Sequence, residues 1–132
     1  MERHSHMLIV ILALLLAVPS LALVRSGVVQ AQAAAGIWAA RAAMPTARNS
    51  LGVAAASNGK LYAVGGEDGN NLGTVEEYDP ATDSWATRAP MPTGRNSLGV
   101  AVASNGKLYA VGGYNGSILA TVEEYDPATR SR

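Results

Sequence analysis

The stretch MPTARNSLGVAAASNGKLYAVGG that begins at Met44 returns as MPTGRNSLGVAVASNGKLYAVGG beginning at Met91, an offset of 47 residues. The match runs backwards through Trp38 and Trp85 and through Arg41 and Arg88. It runs forwards through Tyr78 and Tyr125 and through Pro80 and Pro127. Between 38–84 and 85–131, 37 of 47 positions are identical. A repeat of that length leaves two main architectures, a stacked helical unit or a four-stranded propeller blade.

Local signals decide for strands. Asn58-Gly59 and Asn105-Gly106 are hairpin dipeptides, because both residues tolerate the positive φ of a tight turn. Apolar runs flank each of them: Leu51 to Ala56 and Leu61 to Val64, copied at Leu98 to Ala103 and Leu108 to Val111. A third strand is expected at Thr74 to Tyr78 and again at Thr121 to Tyr125. In the first copy it is closed by Asp79-Pro80, where proline withdraws a ladder donor. A fourth is expected around Trp85, with Ile37 to Arg41 around Trp38 as its earlier copy. No helical periodicity of useful length follows residue 36. Four short strands per repeat make one antiparallel blade, so the fold class is all-β.

Gly65-Gly66 and Gly112-Gly113 end the second strand of each copy. Glycine pairs weaken a strand unless something must approach closely, and the expected neighbour is an aromatic ring, Tyr78 or Trp85. The ordered set of a double glycine, a tyrosine (Tyr78, Tyr125) and a tryptophan (Trp85), with Arg48 and Arg95 opening each repeat, resembles the kelch repeat family. The resemblance covers about residues 38–132 and implies β-propeller blades. Propellers close with about four to eight blades. This chain carries one full repeat, three strands of a second and the lone Trp38 strand. At its end Arg132 stands where the repeat predicts tryptophan. The expectation is a piece of a longer propeller, or a two-blade unit that self-associates, since stacked repeats hide their faces only against neighbours.

Residues 1–35 read as a separate segment. Arg3 precedes an apolar run from Leu8 to Val24, broken by Pro19-Ser20 and followed by small residues. This is the layout of a signal peptide, with an uncleaved membrane-anchor helix as the rival reading. Either places the two repeats, residues 36–132, outside the cytoplasm: secreted, periplasmic, or anchored and facing out.

The composition excludes several chemistries. Ten basic and ten acidic residues balance, with no basic stripe for nucleic acid. The chain has no cysteine, and its two histidines are His4 and His6. Neither a catalytic triad nor a histidine or thiolate metal site fits the repeats. The kelch resemblance admits a second reading, a remnant of a secreted propeller enzyme of the sugar oxidase or sialic acid mutarotase type. An oxidase of that type uses a cysteine–tyrosine crosslink and histidine ligands, so these repeats would lack its active site. No catalytic residue, metal or cofactor is expected. Glu76-Glu77 and Glu123-Glu124 point to opposite faces of a strand, and one of each pair is expected to meet an arginine such as Arg48.

Five of the ten differences between the copies fall between Glu67 and Gly73. The paired positions are Glu67 and Tyr114, Asp68 and Asn115, Asn70 and Ser117, Asn71 and Ile118, and Gly73 and Ala120. Loops on a rigid scaffold carry recognition. The first eight of these residues are therefore the candidate binding set, for a protein or glycan ligand. A calcium loop at 67–71 is the weaker reading, because the second copy lacks the acids.

Overall fold

The computed structural model describes residues 36–129. The chain divides into two compact units, Met1–Trp38 and Ala39–Arg132. Of the first, residues 36–38 are described; they form no regular secondary structure and are exposed. The expected signal or anchor helix lies outside the described residues. Among the described residues no helix is long and apolar enough to cross a membrane.

The second unit is two antiparallel sheets. The first, blade 1, runs in order through β1 (Gly52–Ala55), β2 (Leu61–Val64), β3 (Val75–Asp79) and β4 (Ser84–Arg88). The second, blade 2, is β5 (Gly99–Val102), β6 (Leu108–Val111) and β7 (Val122–Tyr125). The Asn-Gly hairpins form, but only the glycine of each pair takes a positive φ. Gly59 adopts φ 79° and Gly106 φ 78°. Asn58 Oδ1 accepts from Lys60 N at 3.1 Å, and Asn105 Oδ1 from Lys107 N at 3.1 Å. One expected strand is absent: Ile37 to Arg41 carries no ladder. A strand exists only through a partner's hydrogen bonds.

Register sorts each blade into two faces. Val53, Ala63, Glu76 and Thr87 stand opposite one another on one face, while Ala54, Tyr62, Glu77 and Ala86 share the other. The second face of blade 1 packs on the first face of blade 2. Tyr62, Val64 and Val75 meet Leu98, Leu108 and Ala110, with Met91 from the connecting segment. Tyr125 tilts against Tyr62 at 5.9 Å between ring centroids. Each buried aliphatic side chain contributes about 1.5–3 kcal/mol by leaving water, so this junction is the core of the unit.

The glycine pair works differently from the expectation. Gly65 has φ 64° and Gly66 φ 96°, in the region that favours glycine. A Cβ on Gly65 would lie 2.6 Å from the Arg95 carbonyl oxygen, and one on Gly66 2.5 Å from that of Asn49. Backbone, not an aromatic ring, approaches the pair. Gly66 N donates to Arg95 O at 2.9 Å, so the second glycine hydrogen-bonds the segment entering the next blade. Trp85 lies elsewhere. It is half-buried and packs on Tyr78 with centroids 5.1 Å apart, and its indole N–H donates to Ala42 O at 2.8 Å.

Candidate rim site between the two blades

Each blade is opened by a buried arginine. Arg48 Nη2 pairs with Glu76 Oε2 at 2.7 Å, as expected, while Thr46 Oγ1 donates to Glu76 Oε1 at 2.7 Å. Blade 2 repeats the cluster: Arg95 pairs with Glu123 at 3.1 Å, and Thr93 Oγ1 donates to Glu123 Oε1 at 2.7 Å. Both guanidiniums reach carbonyls of the second strand, Ala63 and Ala110. Desolvation lowers the Arg48 pKa from its ordinary value, against the pull of Glu76. These groups are structural ties between the segment entering a blade and its third strand.

The other glutamate of each pair faces the opposite way and meets different partners. Glu77 receives Arg88 Nη2 at 2.9 Å, the Tyr62 hydroxyl at 2.6 Å and Lys60 Nζ at 3.3 Å. Arg88 is the largest influence holding its carboxyl down to about 2; burial opposes it, and Tyr62 and Lys60 assist. Burial, then the bond to Glu77, pushes Tyr62 up to about 12. In blade 2, Glu124 keeps Lys107 and Tyr109. Its counterpart of Arg88 would lie beyond residue 132 in the repeat register. Sequence reading missed Arg88, Lys60 and Tyr62 here, although their identity in both copies was a usable signal.

The candidate loops join β2 to β3 and β6 to β7. Each opens with a small bridge, Glu67 to Asn71 and Tyr114 to Ile118. The structure brings both loops together through Asn96, which sequence reading overlooked. Its side chain donates to Glu67 Oε2 at 2.9 Å and Asn71 Oδ1 at 2.8 Å. Its backbone exchanges two hydrogen bonds with Tyr114, at 3.0 and 2.9 Å. One asparagine therefore ties the loop of blade 1 to the loop of blade 2.

This divides the eight candidates. Glu67 and Asn71 are used internally, as acceptors for Asn96. Asp68, Asn70, Tyr114, Asn115, Ser117 and Ile118 are exposed on the rim. Asp68 caps its own turn, accepting from Asn70 N at 3.3 Å. Tyr114 and Ile118 are large apolar groups left in water, Ile118 at 92% exposure. Among the described residues no three His, Cys, Asp or Glu gather to hold a metal.

The same rim explains why two positions differ between the copies. Gly73 and Gly94 face each other across the junction. A Cβ on Gly73 would stand 2.6 Å from Met91 O, and one on Gly94 2.7 Å from Asn71 O. Their counterparts, Ala120 and Ala47, carry that Cβ. Glycine is needed where the two blades of this chain meet.

Comparison with known proteins agrees with this architecture. The family profile described as Kelch motif matches residues 48–92 and 95–132. No curated protein matches the chain. Among solved structures, the chain is similar to a fungal alcohol oxidase of the AA5 family, in complex with copper. The identity is 24% and the TM-score 0.50, over 59% of this chain and 16% of that one. The likeness is one of fold, and this chain spans about a sixth of the oxidase's length.

Proposed function

The chain belongs to the kelch-motif family, and on that premise we propose that it is an extracytoplasmic binding module whose ligand docks on the rim formed by the β2–β3 and β6–β7 loops. The observation that carries the reading is the exposed group of Tyr114, Ile118 and Asp68 on two loops fixed by Asn96. An aromatic and an aliphatic side chain held in water beside polar rim groups suit a protein ligand, since exposed aromatics are enriched in binding hot spots. The flanking Asn115 and Ser117 beside Tyr114 support a glycan as the second reading, with the ring as a stacking platform.

The export part of the proposal rests on the apolar run from Leu8 to Val24. N-terminal sequencing of the chain recovered from outside an expressing cell tests it; recovery only from the cytoplasm contradicts it.

The recognition part is tested by replacing 114–118 with the blade 1 sequence Glu-Asp-Gly-Asn-Asn. Binding to the selected target, protein or immobilised glycan, should fall by at least tenfold while the circular dichroism spectrum is unchanged. Unaltered binding by the loop-replaced chain would exclude this rim.

A further inference from the structure

The chain carries the dipeptide Asn-Gly three times, at Asn58-Gly59, Asn105-Gly106 and Asn115-Gly116. All three asparagines are exposed. Asparagine before glycine is open to an intramolecular reaction, because glycine has no Cβ to hinder its own backbone nitrogen. That nitrogen attacks the asparagine Cγ. A bond from Cγ to the glycine nitrogen forms and the bond from Cγ to Nδ2 breaks. Nδ2 leaves as ammonia, taking the proton of the glycine N–H. Water, the only co-reactant, then opens the five-membered imide at either carbonyl, giving aspartate or isoaspartate.

Two of the three sites are held against this reaction. Asn58 Oδ1 accepts from Lys60 N at 3.1 Å, and its Nδ2 donates to the Tyr62 hydroxyl at 2.9 Å. The Gly59 N–H donates to Ala56 O at 3.0 Å. Blade 2 repeats all three bonds at its hairpin. Asn105 Oδ1 accepts from Lys107 N at 3.1 Å, its Nδ2 donates to the Tyr109 hydroxyl at 2.9 Å, and the Gly106 N–H donates to Ala103 O at 2.9 Å. The carbonyl to be attacked, the leaving amine and the attacking nitrogen are each engaged elsewhere. Reaction at either hairpin must first give up these bonds.

Asn115 is placed differently. Its backbone N–H donates to Ser117 O at 3.2 Å, but among the described residues nothing hydrogen-bonds its side chain or the Gly116 N–H. Gly116 has φ 111°, and a Cβ there would meet no atom within 4 Å, so the loop tip is open. The opening does not depend on a neighbouring blade. The counterpart of Asn115, Asp68, is exposed on blade 1 although blade 2 packs against that blade.

We propose that Asn115 is a site of spontaneous deamidation. The product aspartate puts on the β6–β7 loop the carboxylate that Asp68 already provides on the β2–β3 loop. Isoaspartate instead lengthens the backbone between Tyr114 and Ile118 by one methylene. The loop of blade 2 carries no charged residue from Tyr114 to Thr121, so it turns from neutral to negative as the chain ages. Where the rim is the binding surface, as proposed above, a ligand meets a different charge on young and on old chain.

The full chain, kept folded in a mild detergent and a mildly alkaline buffer of heavy-oxygen water, tests the proposal. Peptide mass spectrometry reads each Asn-Gly site, and the oxygen label counts only imide opened in that buffer. Asn115 should be lost at least about tenfold faster than Asn58 or Asn105, with both aspartate and isoaspartate formed. In strong denaturant the hairpin bonds are gone, and the three sites should react at similar rates. These rates are read without any ligand, so they are independent of whether the rim binds one. An Asn115 that persists as long as the hairpin asparagines, or a gap between the sites that survives denaturation, would overturn the proposal.

Discussion

Val75 and Val122 hold the same place in the repeat and the same place in their sheets, yet Val75 is 3% exposed and Val122 58%. The difference is the neighbour: Val75 lies under blade 2. In dilute chain, Val75→Ala should cost about 2 kcal/mol and Val122→Ala less than about 0.5 kcal/mol. Urea unfolding of the pair checks this. Equal costs would mean that the inner junction is not the core.

Arg95 has a fully buried side chain against Glu123. Arg95→Met should cost about 3–5 kcal/mol, because it leaves a mostly buried carboxylate without its charge partner. Adding Glu123→Leu should recover part of that loss. The check is a double-mutant cycle by denaturant titration; a single-variant cost below about 1 kcal/mol contradicts the tie.

Trp85 is half-buried, so its truncation should cost less than a core tryptophan. Trp85→Ala is expected to lose about 2 kcal/mol, from its contact with Tyr78 and its bond to Ala42 O. Phenylalanine at 85 keeps the ring contact and should recover more than half. Thermal unfolding of both variants gives the comparison.

Glu77 has a carboxyl held down to about 2, chiefly by Arg88. A depressed carboxylate binds fewer protons in the folded chain than in the unfolded one, so stability falls as pH falls. Its contribution is fully present above about 4.5, declines as pH drops, and is lost below about 2. Stability measured from pH 6 to pH 2 should show that decline, and Glu77→Gln should flatten it. An unchanged profile in the variant removes Glu77 as its source.

The blades were legible in the sequence because the period, the Asn-Gly turns and the alternation in LYAV and VEEY all point to the same strands. Alternation showed that one glutamate of the pair meets an arginine such as Arg48, but not that it is Glu76. The environment of Gly65 was not. Its close neighbour is the carbonyl of Arg95, thirty residues on, and no side-chain pattern reports where a backbone passes. Asn96 was hidden for a related reason. It is identical in both copies, and its role appears only when one loop is seen beside the next. Strand pairing at 37–41 was inferred from a copy of β4, but a ladder needs a partner strand, which the copied sequence cannot supply.

Amide hydrogen exchange at β2 and β3 in the variant Leu108→Ala tests most directly the claim that the junction between the blades is the core of the unit. Leu108 is 2% exposed and belongs to the same buried cluster as Tyr62, Val64 and Val75 of blade 1. Exchange at Leu61–Val64 and Val75–Asp79 should therefore quicken by at least about tenfold, although no residue of blade 1 is changed. Blade 1 amides that exchange at the wild-type rate in the variant would contradict it.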